Sequence, residues 1–195
     1  MNITRAAIIM FALPVALVAQ APAGQQENPI TTAFRQRTLG LQHNIAQAFD
    51  SIPESKFGYR PTPAQLTIGY IAQHVASDDY LFCGAFGSMK PTLAAEDTAT
   101  SEEEKAKWPK EKLVAKLKES LTFCENALSQ VNDANLGGAV TLTFNGRSRG
   151  TTRAAMVLGH ALDLADHYSQ LANYMRLNDI LPPTALPRGR GRGGN

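Results

Sequence analysis

The chain has 195 residues, 44% of them hydrophobic and 18% charged, with 19 basic side chains against 17 acidic ones. Four of the basic residues are Arg5 near the start and Arg188, Arg190 and Arg192 in a Gly-rich tail, which leaves 15 basic against 17 acidic residues in the body between. The length is one domain's worth, and a slightly acidic body carries no electrostatic footprint for nucleic acid.

The first 23 residues read as a secretory signal. Arg5 is followed by an apolar run from Ala6 to Ala19 that contains Pro14, and Ala21-Pro22-Ala23 offers a small-residue cleavage site. The run is too short to span a bilayer as a helix. Cleavage after Ala23 yields an exported protein, periplasmic or secreted, that leaves the membrane; an uncleaved anchor is the alternative. Residues 24–29, GQQENP, form a polar, disordered lead.

From Ile30 the apolar positions Phe34, Leu41, Ile45, Phe49 and Ile52 recur at helical spacing, which predicts a first helix ending before Pro53. His43 falls between these positions and is expected at the surface. The segment SIPESKFGYRPTP is a connection, and its end has the form of a helix start: Thr62 as N-cap, Pro63 at the first helical position, Gln65 completing a capping box. A second helix is therefore predicted from Pro63 to about Phe82. On it His74 lies within the face formed by Leu66, Tyr70, Ile71 and Leu81, and Asp78 follows one turn later.

Ser88 to Trp108 is rich in Ala, Thr and Glu without apolar periodicity, apart from a helical turn at SEEEKAK. It is expected to be a long surface loop, a candidate lid. Pro109 opens a third helix in which Leu113, Leu117, Leu121, Cys124, Leu128 and Val131 repeat at threes and fours, and NDANLGG stops it. AVTLTFNGR alternates and fits a short extended segment or a strand pair around Asn145-Gly146. A fourth helix follows from about Thr152 to Asp179. Residues 183–195, ending RGRGRGGN, cannot bury apolar surface and are expected to be disordered.

The fourth helix carries His160, Asp163 and His167 within two turns, beside the apolar row Met156, Leu164, Leu171 and Tyr174. Two helices that each turn a histidine inward can share one ion. The opposing reading is that these are satisfied core histidines, with Asp78 and Asp163 bonded to His74 and His167. Cys83 and Cys124 fit a disulfide between the second and third helices of an exported chain. Two buried free thiols are the alternative.

Four helices with one inward polar cluster describe an all-α, four-helix bundle with a core metal site. The segments FDSIPESKFGYRPTPAQLTIGYIAQHVASDDYLFC and HALDLADHYSQLANYMRLNDILPP resemble the DinB-like superfamily of metal-dependent bundle proteins, and with the phasing of helices one and three the likeness covers nearly the whole chain from residue 30 to 182. The resemblance implies an up-and-down bundle, often a homodimer, that binds a divalent ion with three histidines, one on helix two and an HxxxH pair on the last helix. His74 matches the first and His167 the last. Four before His167 this sequence has Asp163, a departure that keeps a donor on the same helix face.

Two histidines and a carboxylate suit zinc, nickel, iron or manganese. His160 is the reserve ligand. Asp78 is a further ligand, a partner orienting an imidazole, or a general base. The expected activity is metal-dependent hydrolysis of a small-molecule substrate. The resemblance also implies thiol-dependent transfer or isomerisation, and a non-catalytic metal- or ligand-binding bundle is the remaining alternative.

Overall fold

The computed structural model describes residues 27–187 apart from Asn145. The predicted leader and the Arg/Gly tail from 188 onward lie outside the described residues. Six helices and one hairpin follow in order: α1 (Pro29–Ser51), α2 (Ile68–Gly87), α3 (Ala95–Ala99), α4 (Glu102–Lys105), α5 (Lys110–Ser129), β1 (Ala139–Phe144), β2 (Arg147–Thr152) and α6 (Arg153–Arg176). The fold is mostly helical. Among the described residues no helix is long and apolar enough to cross a membrane.

The four long helices pack in pairs, α2 on α5 and α6, α1 on α5 and α6. On three of them the inner faces are those the spacing predicts: Leu41, Ile45 and Phe49 of α1, Leu113, Leu117, Cys124 and Leu128 of α5, and Met156, Leu164, Leu171 and Tyr174 of α6 are all buried, while His43 is exposed; on α2 Ile71 is buried as expected, but Tyr70 and Leu81 are only partly so. Two arginines donate to carbonyls at or just beyond helix C-termini, where intrahelical donors run out. Arg35 of α1 donates to the Leu128 and Val131 carbonyls at 3.0 and 3.2 Å, and Arg153 of α6 donates through Nε to Phe86 O at 2.7 Å. Asp133, just beyond α5, accepts the Ile30 and Thr31 amides at 3.1 and 2.7 Å and so caps α1 from a distance in sequence.

The start of α2 differs from the sequence expectation. Thr62 and Gln65 form a local turn, with Gln65 N donating to Thr62 O at 3.1 Å. The helix begins only at Ile68, where Thr67 Oγ1 accepts the Tyr70 amide at 3.1 Å. The reason lies in the connection before it: the carbonyls of Tyr59 and Phe57 take the Ile68 and Gly69 amides at 3.1 and 2.8 Å. A Cβ at Gly69 would run into the Ala106 carbonyl, so the close approach of backbone there requires glycine.

The stretch read as a surface loop is ordered into α3 and α4, with α4 resting on α2. Lys112 pairs with Glu96 at 2.6 Å and Lys116 with Asp97 at 2.8 Å, tying α3 to α5. The hairpin forms as one of the two alternatives predicted, antiparallel from Ala139↔Thr152 to Phe144↔Arg147, turning at Gly146 with φ 71°. The C-terminal segment expected to be disordered from 183 holds a 3-10 turn, Pro183–Ala185, in which Thr184 Oγ1 lies 2.9 Å from Tyr168 Oη.

The apolar interior is divided in two. One cluster gathers Ile68–Ala76 of α2, Leu113–Leu117 of α5 and Leu164–Met175 of α6 with the inner face of α1; the other gathers Cys83, Phe86, Cys124, Ala127, Leu128, Met156 and Val157. On three helices the residue between the two clusters is polar and fully buried: Asp79, Ser120 and His160.

Candidate metal centre

The spacing of four residues on each of α2 and α6 places a histidine and a carboxylate on one face. On α2, His74 Nε2 lies 3.3 Å from Asp78 Oδ2; on α6, His167 Nε2 lies 3.5 Å from Asp163 Oδ1. The packing of α2 against α6 brings the two imidazoles edge to face, with ring centroids 5.0 Å apart and planes at 89°. Donor atoms of His74, Asp78 and His167 all lie within 4.8 Å of one another. Three further atoms of the group, His74 Nδ1, His167 Nδ1 and Asp163 Oδ2, are buried without any hydrogen-bond partner in the protein.

Buried polar groups are nearly always paired, and unpaired ones call for an explanation. Satisfied core histidines would not each leave a ring nitrogen without a partner. The donor set, two imidazoles and a carboxylate from two helices, is one that divalent ions of the zinc, nickel, iron and manganese group accept. The residues present therefore fit such an ion.

The electrostatics of the group are lopsided. Burial, and then the Asp163 charge, raise the Asp78 carboxyl from 3.8 to about 7. Burial, and then the neighbouring His167, push the His74 imidazole down. For His167 burial acts downward too, but the hydrogen bond and charge of Asp163 outweigh it and the imidazole ends above its ordinary value. Without an ion, His74 and Asp78 are thus a pair in which both members favour the neutral form near pH 7.

A titration effect on stability follows. The unfolded chain releases the Asp78 proton near pH 3.8, whereas the folded chain keeps it until about 7. The stabilisation this provides is complete below the lower value and is lost as pH rises through the upper one. In metal-free protein, Asp78→Asn is expected to flatten that part of the decline, read as a smaller difference between urea midpoints at about pH 5 and about pH 8 than in the parent chain. An unchanged difference would show that Asp78 titrates normally.

Of the residues singled out in sequence, the structure brings together His74, Asp78 and His167 and joins Asp163 to them through His167. It does not bring His160 to this group, so the reserve role is corrected. His160 Nε2 lies 2.8 Å from Asp79 Oδ1, in a separate cluster with Cys83 and Cys124. The cause is antiparallel packing of the two helices: stepping back from His167 to His160 is about 10 Å of rise, which carries the side chain past His74 and Asp78 to the level of Asp79. Cys83 and Cys124 are bonded, with Cα atoms 5.1 Å apart.

Two residues were missed. Asp79 shares the α2 row Val75, Asp79, Cys83, and that repeat of four was the available signal. Glu102 comes from the acidic stretch of α4 and accepts a hydrogen bond from Tyr70 Oη; this bond, with burial behind it, raises the Tyr70 hydroxyl to about 12. Nothing in the local sequence marks Glu102 among its acidic neighbours. Tyr70 stands 5.8 Å from the His74 ring and also lines a surface groove of about 680 Å³ between the Phe57–Thr67 connection and the Glu103–Lys110 segment. That groove is not lined by His74, Asp78, Asp163 or His167, so the donor chemistry, rather than the size of the groove, locates the site.

Comparison with known proteins bears on the family and the fold. The DinB superfamily model matches residues 37–171. Similar solved structures include a DinB-like protein from Bacillus cereus at 16% identity and TM-score 0.59, covering 78% of this chain and 95% of that one. A conserved protein from Enterococcus faecalis shares 17% identity at TM-score 0.58, covering 76% and 96%. A mycothiol-dependent maleylpyruvate isomerase shares 12% identity at TM-score 0.58; 72% of this chain spans 60% of that one. At these identities the likeness is one of fold. No curated protein matches the sequence. A family model covering most of the chain and a helical fold shared with DinB-like structures lead to one assignment: the chain belongs to the DinB superfamily.

Proposed function

We propose that this DinB superfamily member is an exported, divalent-metal-dependent hydrolase, built as an up-and-down four-helix bundle. The observation that carries the metal is that donor atoms of His74, Asp78 and His167 lie within 4.8 Å of one another, while both imidazoles and the neighbouring Asp163 each keep a buried polar atom without a partner. His74 and His167 each offer a ring nitrogen, and Asp163 or Asp78 completes the set. A divalent ion held there supplies Lewis acidity, polarising a substrate oxygen and lowering the pKa of water.

The chain's own residues do the rest. Asp78, whose carboxyl stands near 7 without an ion, would be held as a carboxylate beside the metal and so able to accept a proton as a general base. Asp163 holds His167 in place from the same helix. Glu102 fixes the Tyr70 hydroxyl as an acceptor-bound donor at the edge of the site. Hydrolysis needs no co-substrate beyond water, which suits an exported protein. The fold shared with mycothiol-dependent maleylpyruvate isomerase favours a second reading, in which the same ion serves a thiol-dependent reaction.

The test is metal analysis of protein purified without a histidine tag. About one divalent ion per chain is expected, lost in both His74→Ala and His167→Ala; full stoichiometry in either variant rules out the site. Turnover of ester, amide or phosphoester probes without added thiol, abolished in Asp78→Asn, supports hydrolysis. Turnover only with a low-molecular-weight thiol supports the second reading, and bound metal without turnover of any probe leaves a binding protein.

A further inference from the structure

We propose that Cys83, Cys124, His160 and Asp79 form a second metal site, shut by the disulfide and opened by its two-electron reduction, that takes a thiophilic divalent ion of the zinc class. The proposal stands apart from the site of His74 and His167 and shares no ligand with it.

The four residues come from α2, α5 and α6, and one donor atom from each lies within 4.8 Å of all the others. All four are fully buried. His160 Nε2 stands 3.7 Å from Cys83 Sγ, 3.6 Å from Cys124 Sγ and 2.8 Å from Asp79 Oδ1. Around tetrahedral zinc, with Zn–S about 2.3 Å and Zn–N about 2.0 Å, a nitrogen and a sulfur stand roughly 3.5 Å apart. The imidazole is therefore already at ligand distance from both sulfurs. What remains is for the sulfurs to part to about 3.8 Å and for Asp79 to draw back by roughly half an ångström.

Asp79 is held as a ligand's supporting bonds would hold it. Its Oδ2 accepts from Ser120 Oγ at 2.7 Å, while Oδ1 faces the imidazole and the sulfurs. The same hydroxyl also points at the Leu117 carbonyl of its own helix, 2.8 Å away, so its single proton is shared between two acceptors and Oγ is fixed in position. Metal-binding carboxylates are commonly steadied through their other oxygen in this way. Two cysteines, one histidine and one carboxylate complete a closed tetrahedral shell, the arrangement of a structural rather than a catalytic ion.

The chemistry balances with a dithiol as reductant. The dithiol delivers two electrons and two protons to the Cys83–Cys124 bond, which breaks to two thiols, and is itself oxidised to a disulfide. Binding of the divalent ion then releases both thiol protons and displaces the proton shared between His160 Nε2 and Asp79 Oδ1, which passes to His160 Nδ1 or to solvent; two thiolates, the Nε2 lone pair and Asp79 Oδ1 are left as the four donors. Reoxidation withdraws both thiolates and expels the ion.

Cobalt serves as the optical probe, because only cysteine thiolates give it sulfur charge-transfer bands. The full mature chain is reduced with a phosphine, freed of reductant under argon and titrated with Co²⁺. Expected are charge-transfer and intense tetrahedral bands that saturate at one thiolate-bound Co²⁺ per chain, vanish on adding Zn²⁺ and never form in the oxidised protein. Absence of these bands in reduced protein with two titratable thiols and intact helical circular dichroism overturns the proposal; so does a disulfide that yields only as helicity is lost. His160→Ala, prepared with its disulfide closed and shown to be folded, should bind Zn²⁺ at least tenfold more weakly after reduction. Equal affinity in that variant also overturns it.

Discussion

Asp79→Ala is expected to lower the unfolding free energy by about 3–5 kcal/mol, because it strips a fully buried imidazole of its hydrogen-bond partner and leaves a cavity in its place. The carboxylate meets His160 Nε2 at 2.8 Å and Ser120 Oγ at 2.7 Å with every partner sealed from solvent. Alanine would leave the imidazole facing only sulfur and open a cavity between three helices. Burial raises the Asp79 carboxyl, and the bonds from His160 and Ser120 act against that rise. Asp79→Asn keeps the shape and one oxygen for Ser120, so it should cost only about 1–2 kcal/mol. Urea unfolding of the two variants measures the difference. A loss below about 1 kcal/mol for alanine would mean that the network contributes little.

Opening the disulfide is the second large effect. Cys83 and Cys124 close a loop with a sequence separation of 41, and the chain-entropy relation gives roughly 4 kcal/mol for a loop of that size. Urea unfolding of Cys83→Ala/Cys124→Ala should show a loss of this order, and free-thiol titration of the parent in denaturant without reductant should find none. Two reactive thiols would contradict the bond. Because Asp79 and Cys83 share His160 as a neighbour, the effects of Asp79→Ala and of losing the disulfide should not add.

Much of this was legible in the chain because the apolar rows of α1, α5 and α6 repeat at three and four. Leu41, Ile45 and Phe49, or Leu113, Leu117 and Cys124, have one face to bury and bury it. The paired His74/Asp78 and Asp163/His167 were readable for the same reason, since residues four apart share a helix face. What spacing along one helix does not contain is the level at which that helix meets its neighbour. His160 is in phase with His167, and only the antiparallel contact with α2 sends it to Asp79. Asp79 went unnoticed because the apolar face of α2 was centred on Tyr70 and His74; the buried row runs through Val75, Asp79 and Cys83 instead. The start of α2 was misplaced because backbone carbonyls of Phe57 and Tyr59, not side chains, occupy its first donors.

Aliphatic groups attract without direction, so two oily compartments alone would tolerate one helix sliding along another by a turn. The carboxylate of Asp79 does not tolerate it. A slip of α5 would present Leu117 or Cys124 in place of the Ser120 hydroxyl, and a slip of α6 would present Val157 or Leu164 in place of the imidazole, stranding a buried carboxyl without partners at a cost of about 1–3 kcal/mol. Cys83 and Cys124 each sit four residues beyond Asp79 and Ser120. The same vernier that excludes the slipped alignments is therefore what brings the two sulfurs face to face, so that oxidation locks the correctly aligned chain and no other.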